Sequence, residues 1–197
     1  MYELGILLMV VVVVMLATTA ATAVVGPALQ VIEYVLLCGS VVIILGVTFF
    51  VGAEVVMRYV FNAPIPGHLE GSELLLPMIV FLALSYTQAT RGHIGMDLVL
   101  DALAPTARRY ATMGTLLISI LLCAILAYFS FKHAYQLWVY DDVTMTPPYF
   151  PTWPSGAAIT LGYALISIRM YLQLLHLAAP GRFPEYAPVG GDLHVIE

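Results

Sequence analysis

Charge is what this sequence has least of: Lys and Arg number 7, Asp and Glu 12, together 10% of 197 residues, for a formal net charge of -5. No run of Lys or Arg is present, so a polybasic lipid-binding patch is excluded, and the acidic balance excludes a nucleic-acid surface. The 2 cysteines, Cys38 and Cys123, each sit inside an apolar run. There they act as small hydrophobes and supply neither a disulfide framework nor a metal cluster. Also missing are HExxH, GxSxG, a phosphate loop and any Cys/His ligand set. The chain therefore reads as a non-enzyme with no cofactor and no metal. A bis-histidine haem needs two imidazoles at similar depth. His133 lies toward the outer end of its apolar run, His176 toward the inner end of the next, and His68, His93 and His194 fall in turns or the tail, so no such pair forms.

What is present is apolar surface: 61% of the residues, with a mean hydropathy of +0.96. That exceeds what a soluble domain of this length hides in its core. A span takes about 20 apolar helical residues, so the chain has room for four or five crossings and no separate soluble domain. The expected fold is an all-α, polytopic transmembrane helical bundle of four core spans plus an extra N-terminal span.

Residues 4 to 25 are uncharged and apolar, and they read either as a span or as a secretory leader. The only charge ahead of them is acidic, Glu3, which disfavours a leader, although Ala21-Thr22-Ala23 resembles a cleavage site; the span is preferred. Gly26-Pro27 is expected to break the chain before a second run from about Val31 to Met57. Glu54 and Arg58 are spaced for a helical ion pair with the acid on the favourable N-terminal side. Arg58 either snorkels to the headgroups or is partly buried, cross-linking Glu54 to the following turn's carbonyls or to Glu70. Asn62-Ala63-Pro64-Ile65-Pro66-Gly67 cannot continue a helix and predicts a rigid turn, with helix resuming between His68 and Ser72. Glu70 and Glu73 then fall in or beside the first turn, where the dipole favours carboxylates, leaving open whether they only cap the helix or also meet a partner.

That span runs to about Thr90 with a kink expected at Pro77, and Arg91-Gly92 forms a C-terminal stop. Met96, Val99, Leu100 and Leu103 recur at helical spacing opposite Asp97 and Asp101, which suggests a short interfacial helix. Pro105 opens the next helix, whose apolar run from Ala111 to Phe131 ends in Tyr135, Trp138 and Tyr140, aromatics suited to the membrane boundary. Residues 141 to 155 carry four prolines and read as a stiff, extended surface loop. The last span starts near Ser155 as N-cap and ends near Leu177. Ala158 and Gly162 give it a small-xxx-small face, and Arg169 within it either snorkels or pairs with Glu33. Arg91, Arg108, Arg109 and Arg182 fall on one side and Arg58 and Lys132 on the other. The positive-inside rule then puts the C-terminus in the cytoplasm and the Pro64 and Pro147 segments outside.

Neither an internal repeat nor polar midplane residues typical of a self-sufficient transporter are visible, so the residues alone indicate a polytopic helical subunit that works with a partner. The stretch RYVFNAPIP, then Glu70, then RGHIGMD resembles the small permease subunit of tripartite ATP-independent periplasmic (TRAP) transporters, the DctQ-like family. The likeness covers roughly residues 30–178, between an extra N-terminal segment, 1–29, and a cytoplasmic tail, 179–197. It implies a multi-pass bacterial inner-membrane scaffold that pairs with a large permease subunit and helps dock a periplasmic solute-binding protein for sodium-driven uptake, often of an organic acid. Arg58, Tyr59, Asn62, Pro64, Glu70, Gly92, His93 and Asp97 match the family's motif as structural or interface positions. Two departures stand out: Gly67 occupies a position that is Trp in many members, and residues 4–25 are additional. The rival reading is a non-transport membrane anchor of a respiratory-type complex.

Overall fold

The computed structural model describes residues 2–90 and 103–183. Among them are five helices: α1 (Tyr2–Ala20), α2 (Thr22–Val60), α3 (His68–Ala89), α4 (Pro105–Val139) and α5 (Trp153–Ala178). By length and composition, 24–60, 68–89, 105–139 and 153–178 are each able to cross a membrane, and the fold is the expected all-α polytopic bundle. At about 1.5 Å per residue, the 39 residues of α2 and the 35 of α4 outrun a hydrocarbon core of about 30 Å. Both helices therefore tilt or project beyond it.

The four long helices stand in a row, in the spatial order α2, α3, α5, α4, and α1 packs against α2, α4 and α5. Small residues make the close crossings possible. A Cβ on Gly162 would lie 2.5 Å from the Phe81 carbonyl oxygen of α3, and one on Gly156 would lie 3.2 Å from the Ala134 Cα of α4. Ala158 and Gly162, paired in the sequence at small-xxx-small spacing, are both buried in α5. The buried apolar side chains continue along α5 with Ile166, Leu172 and Leu174, and include Ile120 of α4 and Leu29 of α2. Lipid tails are as apolar as leucine, so such contacts hold by close packing rather than by removal from water.

Three local expectations are corrected. The chain does not break at Gly26-Pro27: α2 runs through Pro27, and the interruption sits at Ala21, whose carbonyl accepts from both Val24 and Val25. Proline withholds one donor and crowds the carbonyl four residues earlier, a local disturbance that a helix this long absorbs. Ser155 is not the cap of the last span, because α5 starts at Trp153. Pro154 fits its first turn, where no amide donor is needed, and Ser155 is buried inside the helix.

Residues 141 to 152, third, are not extended. Asp141 and Tyr149 take left-handed φ values of 46° and 59°, which reverses the chain. The Thr144 amide then donates to Phe150 O at 3.0 Å, and the Thr144 hydroxyl accepts from the Phe150 amide at 2.9 Å. At the opposite ends of α4 and α5 from this loop, Arg109 donates to the Leu177 and Ala178 carbonyls, at 2.9 and 3.1 Å. It places a cation on the negative end of α5. The expected stop at Arg91-Gly92 and, apart from Leu103, the interfacial segment from Met96 lie outside the described residues.

Candidate functional site

Two polar clusters and one apolar stripe stand out, at different places along the row. The inner cluster joins three neighbouring helices. Ser85 on α3 donates to Glu33 Oε1 on α2 at 2.6 Å, and Arg169 Nη1 on α5 lies 3.6 Å from Glu33 Oε2. The side chains of Arg169 and Glu33 are 2% and 0% exposed. A buried charge is costly unless paired and hydrogen-bonded, so these side chains fix the register of α2, α3 and α5 together. Of the two readings the sequence left for Arg169, the structure takes the pair with Glu33.

Amide and hydroxyl bonds extend this clasp in both directions. Gln88 Nε2 donates to Gln173 Oε1 at 2.9 Å, and Gln173 Nε2 donates back to the Gln88 carbonyl at 3.2 Å, tying α3 to α5. Ser40 donates to the Ile79 carbonyl at 2.7 Å, tying α2 to α3. Sequence reasoning assigned no partner to Ser40, Ser85, Gln88 or Gln173, although Ser85 and Gln88 stand out as the polar end of their span. The available signal was their type and depth, because hydrogen-bonding side chains inside apolar helices seek partners on neighbouring helices.

The outer cluster surrounds the turn from Phe61 to Gly67. Arg58 Nε donates to Glu54 Oε1 at 2.8 Å, and Arg58 Nη2 lies 3.3 Å from His68 Nε2. His68 Nδ1 is 3.0 Å from the Ile65 carbonyl; when it donates there, Nε2 is left to accept from Arg58. The turn reverses through Asn62 at φ 52° and Gly67 at φ 72°, and the Ala63 amide donates to the Met57 carbonyl at 3.1 Å.

The motif residues divide within this region. Arg58 bonds Glu54 and faces His68 rather than Glu70, and its side chain is 48% exposed while that of Glu54 is 4% exposed. Glu70 instead accepts from the Thr146 amide at 3.2 Å, binding the start of α3 to the outer loop. Tyr59 and Pro64 are exposed. Gly67 has a local reason to be glycine: besides its φ, a Cβ there would lie 2.6 Å from Pro148 Cδ and 2.9 Å from the Pro147 carbonyl. The outer loop occupies the space that a larger side chain would need. Gly92, His93 and Asp97 lie outside the described residues.

The apolar stripe is on α2. Val35, Val42, Phe49 and Val56 are spaced seven residues apart and are exposed, as are Val31, Leu45 and Tyr59 between and beyond them. A seven-residue apolar repeat is the spacing at which one helix packs along another at a shallow left-handed angle. Among the described residues no group of three or more His, Cys, Asp or Glu is placed to hold a metal ion. Among the described residues the arrangement offers a pinned row of helices with an apolar edge and a folded loop beside the start of α3.

A family model described as "Tripartite ATP-independent periplasmic transporters, DctQ component" matches residues 47–179. No curated protein matches the chain. The matched range begins within α2, takes in the outer cluster, α3, α4 and α5, and leaves α1 and Glu33 outside it.

Proposed function

Because the chain belongs to the family of DctQ components of tripartite ATP-independent periplasmic transporters, we propose that it serves its transporter as a fixed scaffold that pairs with the large permease subunit. The observation that carries this reading is the stripe of Val35, Val42, Phe49 and Val56, an exposed helix-packing edge on a row otherwise locked by its own polar clasp. The large subunit supplies the substrate and sodium sites and does the moving. The small subunit holds its position, and its outer surface, the turn at Pro64 with the loop at Pro147, helps dock a periplasmic solute-binding protein. The cargo is an organic acid or similar solute taken up with sodium. The respiratory-anchor reading is disfavoured by the family match.

In the proposed topology the chain sits in the bacterial inner membrane with its C-terminus cytoplasmic, as the Lys/Arg asymmetry favours. α1 is a fifth span: its 19 residues reach about 28 Å at 1.5 Å each, close to the hydrocarbon thickness. The test is co-expression with the large subunit followed by purification through a tag on this chain. The proposal expects both subunits to co-purify, and vesicles holding this chain alone to take up no solute on a sodium gradient. Sodium-driven uptake by this chain alone would overturn it.

A further inference from the structure

A cavity of about 360 Å³ lies between α1 and the α4 and α5 pair. Its walls include Met15 and Thr18 of α1, Ala127 and Tyr128 of α4, and Ala164 and Ser167 of α5. Small side chains open the space, since an alanine on each of the two facing helices reaches no further than its Cβ. Two of the lining hydroxyls are turned back on their own helices: Thr18 donates to the Val14 and Met15 carbonyls and Ser167 to the Tyr163 carbonyl. What they present to the cavity is carbon.

The contents follow by elimination. A water molecule needs two to four polar partners, and apolar cavities of comparable size stay dry. Left empty, the lining atoms would forfeit their dispersion contacts. A partner's helix, about 10–12 Å across with its side chains, is much thicker than an alkyl chain, and the space is opened only by alanines on two adjoining helices. A flexible hydrocarbon chain fits. The depth agrees, because the wall is built from Ile120 to Phe131 of α4 and Ala164 to Tyr171 of α5, central to helices that run 105–139 and 153–178. On α1, Met9, Val13 and Leu16 are exposed, an apolar back suited to bulk lipid.

We propose that this cavity is a lipid site, holding one acyl chain of a bilayer phospholipid as the filling that joins α1 to α4 and α5. It rests on α1 lying in the membrane, which the same experiment checks separately. The full chain, co-expressed with its large subunit, is reconstituted into phosphatidylethanolamine vesicles containing a phosphatidylethanolamine with a mid-chain diazirine. After irradiation, adducts are mapped by peptide mass spectrometry. Adducts are expected on Met15, Tyr128 and Tyr171 that resist a chase with unlabelled lipid, while those on the exposed Ile118 and Leu122 of α4 chase out readily. Filling the cavity with Ala127→Phe and Ala164→Leu should lower the cavity adducts severalfold and leave those on Ile118 and Leu122 unchanged. The milder Ala127→Val should give an intermediate loss, which keeps the test open if the larger variant misfolds. Unlabelled cavity residues beside labelled Ile118 and Leu122 would overturn the site, as would cavity adducts that chase as fast as the others or ignore the filling variants. Absence of adducts from Met9 and Leu16 would remove α1 from the bilayer, and the proposal with it.

Discussion

The most apolar stretch of α2 has a mean hydropathy of 2.6 and is 6% buried, whereas that of α5 has 1.4 and is 33% buried. In water the ranking would be reversed, because the more apolar helix would be the one hidden. Here the less apolar helix holds the centre of the row, through Gly156, Gly162, Ser155 and Arg169, and the most apolar one forms its edge. Within a bilayer apolar side chains need no shelter, so hydropathy marks the faces turned to lipid or to a partner. Small and hydrogen-bonding residues mark the faces turned to other helices of the same chain. Substitutions that treat the two helices alike should therefore have unequal effects.

The largest difference is expected at the clasp. Arg169→Ala leaves the Glu33 carboxylate buried without its cation, and removing one partner of a buried pair costs about 3 to 5 kcal/mol. Thermal melts of the detergent-purified chain should show a correspondingly large drop, most of it recovered when Glu33→Leu is added, since apolar replacement of both members is often near neutral. A drop that the second change leaves untouched would show that Arg169 acts through other contacts.

Glycine substitutions come next. Gly162→Ala drives a methyl into the Phe81 carbonyl, and overpacking of this kind costs about 1 to 3 kcal/mol. Gly46 of α2 has nothing within 4 Å of the position a Cβ would take, so Gly46→Ala should alter stability by no more than about 0.5 kcal/mol. Equal losses in the two melts would erase the distinction between centre and edge.

An effect smaller than that of Gly162→Ala is expected at Arg58. Its side chain is 48% exposed although that of Glu54 is 4% exposed, so water can take the place of the guanidinium beside Glu54 and the loss should stay near that of an exposed pair, about 0 to 1 kcal/mol. Arg58→Gln should therefore lower the melting temperature slightly, and Arg58→Lys less, because a cation remains near the buried Glu54. A loss as large as that of Arg169→Ala would mean that the outer turn, and not the clasp, holds the row.

Much of this was legible in the residues. The four long helices follow from run length, the outer turn from its prolines, the Pro105 start from the missing amide donor, and the family from the spacing around Arg58, Asn62 and Glu70. The centre of the row was harder to see. Ala158 and Gly162 occur at a spacing common in any apolar helix, and only the approach of Phe81 gives it meaning. Glu33 and Arg169 are 136 positions apart in sequence, so their pairing stood there only as one of two readings for Arg169; the order of the helices decides it. The partner of Glu70 was hidden for a similar reason, since it sits on a loop whose reversal depends on left-handed Asp141 and Tyr149, residues with no obligatory turn signature.

The central claim is that the edge stripe of α2 is the face turned to the large subunit, and it is tested most directly by crowding that stripe. Val35→Trp and Val42→Trp, made together in a tagged chain co-expressed with the large subunit, should sharply reduce the large subunit recovered, while the melt of this chain alone stays as in the wild type. Ile118→Trp and Leu122→Trp on the exposed face of α4 should leave recovery unchanged. Full recovery with the α2 variant, or its loss with the α4 variant alone, would contradict the account.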